Sequence, residues 1–194
     1  DVDLKFPGLS IDIHIKFNTC TVSLDSSGVS LHQRGYRTST NIAPINEVLA
    51  AGLLLLSGWK GHSDFIDPMC GSGTMLIEAA MIACNIPPHF EITGYDKAPS
   101  AIEKAKENIK NAELSEFITV KHEDFFKTEK QKERHLQMVF NPPYGERLEV
   151  DIQSFYKNIG DTLKQSYPGT EAWFITSNLE VLKHAGSKKA KYQD

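Results

Sequence analysis

The sequence lacks the features that mark several common roles. Cysteine is scarce: Cys20, Cys70 and Cys84 are an odd count with no Cys-x-x-Cys spacing. That argues against a disulfide framework and a zinc site, and suits a reducing cytoplasm. The histidines are scattered without i,i+4 pairing or nearby cysteines, so no metal is expected. The longest apolar run, Val48 to Leu56, is far short of the roughly 20 residues that span a bilayer. No signal-peptide pattern opens the chain, so no membrane association is expected. Excess positive charge is also absent. Lys and Arg number 21 against 25 Asp and Glu, for a formal net charge of −4. A protein whose whole task was gripping a phosphate backbone would be basic. If nucleic acid is the substrate, much of the grip is expected to lie elsewhere.

What is present fits a packed domain. The chain has 194 residues, 40% of them hydrophobic and 24% charged, which suits one domain with a small appendage. In the first forty residues, Ile11, Ile13, Ile15 and Phe17 alternate with Asp12, His14 and Lys16, the period of a half-buried strand. Val22 and Leu24 repeat it, Ser26-Ser27-Gly28 signals a turn, and Val29 and Leu31 resume it. The expectation is a small antiparallel β-unit over 1–40, ending near Arg37. From Asn41 onward the pattern alternates strand and helix. Helices are expected over Pro44–Ser57, Thr74–Cys84, Ser100–Ala112 and from Ile152 to Leu163. Strands are expected at Phe65–Ile66, Ile92–Tyr95, Ile118–Lys121, Gln137–Phe140 and Trp173–Thr176. This predicts an α/β fold over 41–194, a mostly parallel sheet with helices on both faces. Such sheets bind ligands beyond the carboxyl ends of their strands.

The residues just after each strand therefore carry the information. The first is followed by Asp67-Pro68-Met69-Cys70-Gly71-Ser72-Gly73-Thr74. Gly71 and Gly73 allow a tight turn and close ligand approach, and Thr74 opens a helix whose free N–H groups can meet a carboxylate. An ordinary glycine turn is an equal alternative for this segment taken alone. There is no P-loop lysine, and Ile77 stands where a dinucleotide fingerprint has its third glycine. Asp96 ends the second strand, where a carboxylate can accept hydrogen bonds from ribose hydroxyls; helix capping near Pro99 is the alternative. Asp124 follows the third strand, placed to accept from an adenine amino group with Phe125 flanking the ring; a solvated turn acid is the alternative. Together these describe a nucleoside carrying an amino-acid carboxylate, and S-adenosyl-L-methionine fits.

The fourth strand ends in Asn141-Pro142-Pro143-Tyr144. The exocyclic amine of guanine or adenine is a poor nucleophile because its lone pair is delocalised into the ring. Two acceptors aimed at its N–H groups, the Asn141 side-chain oxygen and the Pro142 carbonyl, would localise that pair and stabilise the developing positive charge. Pro143 restricts Pro142 to an extended conformation. Tyr144 can stack on a base held out of its helix. Cys70 is read as a packing contact rather than a nucleophile. Arg34 and Arg37 flank Tyr36 and either touch RNA or pin the β-unit to the core.

Asp67–Thr74 followed by Asn141-Pro-Pro-Tyr-Gly-Glu-Arg-Leu148 resembles the THUMP-linked ribosomal RNA guanine-N2 methyltransferases, often labelled N6-adenine-specific DNA methylases. Leu31-His32-x-Arg34-Gly35-Tyr36-Arg37 and Ala43-Pro44-Ile45-x-Glu47 match that family too. The resemblance implies a Rossmann-like class I methyltransferase fold. It implies that Pro68, Cys70, Gly71 and Gly73 surround the methionine part of S-adenosyl-L-methionine, with Asp67 in the same loop. Asp96 and Asp124 would bind its ribose and adenine, and Asn141, Pro142 and Tyr144 the target guanine of large-subunit ribosomal RNA, in the cytoplasm. Glu146 and Arg147 match the motif without a derivable role. The family's THUMP domain is absent from this sequence. The segment after Cys84, where Pro87-Pro88 leads straight into a strand, is short for the family, as is the end after Ala185, a basic tail with Lys188, Lys189 and Lys191. An adenine-N6 DNA methyltransferase, a methyltransferase acting on protein glutamine, and a non-catalytic RNA-binding module are the competing readings.

Overall fold

A computed structural model describes residues 8–26, 30–38, 44–84, 89–131, 133–143, 151–176 and the single positions 180, 183 and 185. The chain divides into two compact units, 1–34 and 35–194.

The first unit is a hairpin of β1 (Ser10–Lys16) and β2 (Thr19–Asp25), paired antiparallel with Ile13 opposite Val22. Phe17 turns the chain at φ 53°. The alternation that predicts these strands also predicts one buried face. Instead Ile11, Ile13, Ile15, Val22 and Leu24 are all more than half exposed. Among its described residues this unit holds only these two strands, which by themselves form no second layer. A third strand does not form at Leu31, which lies in a turn, and Val29 is outside the described residues.

The second unit is built on a five-stranded parallel sheet of order β5-β4-β3-β6-β7. Its strands are β3 (Asp64–Asp67), β4 (Ile92–Asp96), β5 (Ile118–His122), β6 (Leu136–Phe140) and β7 (Glu171–Phe174). The helices are α1 (Glu47–Leu56), α2 (Thr74–Ala83), α3 (Pro99–Asn111) and α4 (Ile152–Gln165). Each matches its expected position within a few residues. The unit begins at Gly35 rather than near 41, because residues 36–38 are bonded to the helices that follow. No helix among the described residues is long and apolar enough to cross a membrane.

The interior strand β6 shows how the sequence builds two layers. Val139 joins a core with residues of α1, α2 and α3 on one face, while Leu136, Met138 and Phe140 join a core with α4 on the other. Gln137 breaks the apolar run yet is 1% exposed. Its Nε2 donates to the Ser57 carbonyl at 2.8 Å, so the buried amide also ties the end of α1 to β6. In α3, Ile102, Ala105 and Ile109 form the buried stripe expected from their spacing. Helix α1 starts where Asn46 Oδ1 accepts from the Val48 and Leu49 amides, and residues 44–46 precede it without helix.

The strand order decides where a ligand can sit. The chain enters the sheet at β3, steps to β4 and β5 on one side, then crosses to β6 and β7 on the other. A crevice therefore opens between β3 and β6 at the carboxyl edge, the usual ligand site of such a sheet.

Candidate active site

The Asp67–Thr74 turn and Asn141–Pro143 both start at that edge. β3 and β6 are parallel neighbours, with Ile66 opposite Met138. Asp67 and the glycine turn leave β3 on the same edge on which Asn141 leaves β6. Adjacent strands lie about 4.8 Å apart, so the two segments begin side by side at this edge. Asp96 ends β4, beside β3 on its other flank, and Asp124 lies two residues beyond His122, the partner of Asp96 on β5.

The glycine turn is held by its surroundings. Gly71 and Gly73 have φ values of 54° and 85°, a left-handed region that side chains disfavour. A Cβ on Gly73 would also press on Ala105 Cβ at 3.3 Å. Asp67 Oδ1 accepts from the Met69 amide at 3.1 Å, and the Cys70 amide donates to the Tyr95 carbonyl at 2.8 Å. Pro68 is buried in the turn. The Cys70 sulfur lies over Gly94, where a Cβ would collide with it and with the Leu76 side chain. Burial first, then the charges of Asp67 and Asp96, push the Cys70 thiol up, so it stays protonated as a packing group.

Asp96 both organises the turn and keeps capacity for a ligand. Its Oδ2 accepts from the Gly71 amide and its Oδ1 from the Ala98 amide, each at 2.9 Å. A carboxylate offers about four lone-pair positions, so one remains on each oxygen, which is the number two vicinal hydroxyls need. The capping alternative is thus partly realised, through Ala98, without consuming the group. Asp124 caps the short 3-10 turn Phe125–Lys127 by accepting from Phe126 with Oδ1 at 3.1 Å. Its Oδ2 has no partner among the described residues, and the side chain is half-buried.

Asp67 is only 3% exposed. Burial, opposed by the Met69 amide and reinforced by the Asp96 charge, pushes its carboxyl up to about 8. In the free protein at neutral pH it is mainly protonated. A cationic ligand group beside it would restore the ionised form. Two acids and no lysine make this turn hostile to a polyphosphate and suited to a ligand carrying positive charge. S-adenosyl-L-methionine, with its sulfonium and ammonium groups, meets that condition. Its carboxylate matches the free amides at the start of α2.

One expectation changes and one open alternative is decided. Phe125 does not offer its ring to a ligand. It is 2% exposed and packs against Phe126, Phe140 and Tyr167 in the α4-side core, because the 3-10 turn directs it inward. Arg37 is not a surface RNA contact. Its side chain is 16% exposed and pairs with Glu47 at 3.0 Å. Asn141 and Pro143 are half-buried and Pro142 buried, at the expected strand end. Tyr144, Glu146 and Arg147 lie outside the described residues, as do Pro87, Pro88 and the lysines of the tail.

Sequence reasoning missed Asn108. Its Nδ2 donates to the Ser72 carbonyl in the glycine turn at 3.0 Å. A polar residue on the apolar stripe of α3, between Ala105 and Ile109, is the signal that could have found it.

With this geometry in place, the comparisons with known proteins are decisive. A family model described as the RMKL-like methyltransferase domain (UPF0020) matches residues 34–193. The chain belongs to this family. The methyltransferase domain is 34% identical to the ribosomal RNA large subunit methyltransferase K/L of Syntrophotalea carbinolica, over 98% of this chain and 33% of that one. Among solved structures, SMU.472 complexed with S-adenosylhomocysteine matches with a TM-score of 0.79 and 29% identity, covering 96% of this chain and 58% of that one. A protein from Listeria monocytogenes, named a predicted N6-adenine-specific DNA methylase, matches with a TM-score of 0.78 and 31% identity, covering 94% and 57%. The chain thus spans about a third of the K/L relative's length. The resemblance drawn from the motifs and the class I methyltransferase fold are both upheld.

Proposed function

We propose that this domain binds S-adenosyl-L-methionine over the glycine turn and methylates the exocyclic N2 of a guanine in ribosomal RNA. The observation that carries the reading is the placement of the Asp67–Thr74 turn and Asn141–Pro142 on adjacent parallel strands at the sheet's switch point. When bound, the cofactor supplies an electrophilic methyl group on sulfur. Asp96 accepts from its ribose hydroxyls and Asp124 from its adenine amino group. Pro68, Cys70, Gly71 and Gly73 line its methionine part, and Asp67 ionises against its positive charge. Asn141 Oδ1 and the Pro142 carbonyl accept from the target amine, orient its lone pair and stabilise the positive charge that grows on nitrogen. The amine's proton then leaves to solvent, so no general base is required. Tyr144 stacks on the target base.

The name of the K/L relative supports ribosomal RNA as substrate. The free cysteines 20, 70 and 84 suit a reducing cytoplasm. With a formal net charge of −4, much of the RNA grip is assigned to residues outside this domain.

The name of the Listeria relative favours a second reading, N6-adenine methylation of DNA. One experiment separates the two: incubation of the protein with ribosomal RNA and with duplex DNA, followed by mass spectrometry of the nucleosides. N2-methylguanosine from RNA supports the proposal, and N6-methyldeoxyadenosine from DNA replaces it with the alternative. Methylated glutamine or no product removes both.

A further inference from the structure

Residues 36–38, at the start of the second unit, form a buckle behind the glycine turn. Tyr36 is 3% exposed. Arg37 Nη2 donates to the Thr74 hydroxyl at 2.8 Å and to the Ile45 carbonyl at 3.0 Å. Its Nε lies 3.0 Å from Glu47 Oε1, an ion pair without hydrogen-bond alignment. The Thr38 amide donates to Asn108 Oδ1 at 3.3 Å, and Asn111 Nδ2 donates to the Tyr36 carbonyl at 3.2 Å. Asn108 in turn holds Ser72. The turn is therefore gripped on both sides of Gly73, at Ser72 and at Thr74.

The grip matters because of what it holds. Gly71 and Gly73 have the greatest backbone freedom of any residues, and within the turn the Gly73 amide is tied only to the Cys70 carbonyl. A loose turn must lose that freedom when a ligand arrives, at a cost to affinity. A guanidinium that is mostly buried, paired with a carboxylate and bonded to Thr74, removes the freedom in advance. Arg37 meets these partners through two nitrogens, Nη2 and Nε, where lysine offers a single ammonium.

We propose that Arg37 is a positioning residue for cofactor binding: through Thr74 it holds the glycine turn in its ligand-ready shape. The inference rests on the reading that S-adenosyl-L-methionine occupies this turn. The test is calorimetry with S-adenosylhomocysteine on wild type, Arg37→Gln, Thr74→Val, Thr74→Ser and the double variant Arg37→Gln/Thr74→Val. Amide hydrogen exchange is measured on each without ligand. Arg37→Gln and Thr74→Val should each weaken binding about tenfold, the scale of one charge-assisted hydrogen bond. The double variant should bind no more weakly than Arg37→Gln alone, because both changes break the same bond. Thr74→Ser keeps the hydroxyl and should bind like wild type. Exchange should quicken at residues 71–77 and not across the sheet.

Wild-type affinity in Arg37→Gln or Thr74→Val overturns the proposal. So does exchange that rises evenly through the sheet, with affinity loss matching the unfolded fraction. If Arg37→Gln does not fold, equal affinity of Thr74→Val and Thr74→Ser overturns it alone. A well-folded wild type that fails to bind refutes the cofactor reading instead, and local exchange in the variants still judges the clamp.

Discussion

Replacing Asp67 by asparagine should make the free protein more stable, and increasingly so as pH rises from about 4 to about 8. The carboxyl has its pKa raised from an ordinary 3.8 to about 8, first by burial. Between those values the folded chain holds a proton that the unfolded chain has released. Unfolding is then favoured as pH rises, so the stability this group allows is complete below pH 4 and lost as pH passes through 8. Each pH unit is worth about 1.4 kcal/mol, so a gap of about four units sets a ceiling on the order of 5 kcal/mol. Asparagine has the same shape, needs no proton and keeps an oxygen for the Met69 amide. Urea denaturation of both proteins at pH 4, 5, 6, 7, 8 and 9 should show the smallest difference at pH 4, widening with each unit. At pH 8 and above, the Asp67→Asn variant should be ahead by about 2 kcal/mol or more. The same substitution bears on ligand binding. At pH 7 the wild type should release close to one proton on binding S-adenosyl-L-methionine, seen as a buffer-dependent calorimetric enthalpy, and Asp67→Asn should release none. A stability difference that does not vary with pH would refute the buried neutral carboxyl. Equal proton release in the two proteins would show that the cofactor's charge does not reach it.

Other substitutions test separate parts of the site. Asn141→Ala should lower turnover by at least about 100-fold, the scale of one lost preorganised contact, with S-adenosylhomocysteine affinity unchanged; steady-state kinetics showing full activity would remove Asn141 as the amine acceptor. Asp96→Ala should weaken cofactor affinity more than turnover at saturation, since it frees both the ligand hydroxyls and the Gly71 amide; a turnover loss with unchanged affinity would contradict the ribose role. Gly94→Ala should destabilise the fold by about 1–3 kcal/mol through overpacking against Cys70 and Leu76, and a variant melting like wild type would show that this contact relaxes freely.

The parts of the site that sequence made legible are those fixed by strand ends. Asp67 and Asp96 close β3 and β4, Asp124 and Asn141 lie just past β5 and β6, and a parallel sheet brings all such positions to one edge whatever the helices do. Asn108 and the Arg37 contacts were hidden because they depend on which helix faces lie behind the glycine turn. Arg37 and Thr74 are 37 positions apart in the chain, and Asn108 and Ser72 are 36 apart, so neither contact is a local pattern. The wrong reading of Phe125 has a similar origin. Its place after β5 matched a ligand position, but the Asp124 cap turns the chain by a few residues and directs the ring into the core. In the hairpin, alternation located the strands correctly and misjudged their burial, because periodicity reports which side chains share a face and not whether another layer covers that face.

The central claim is that a methyl group passes between the glycine turn and an amine held at Asn141. It is tested most directly by supplying the protein and its Asn141→Ala variant with S-adenosyl-L-methionine carrying a deuterated methyl group, in the presence of ribosomal RNA. Nucleoside mass spectrometry should find the label on N2 of guanosine with the wild type and at background with the variant. Label that appears equally with both proteins, or on another base or on protein, would contradict it.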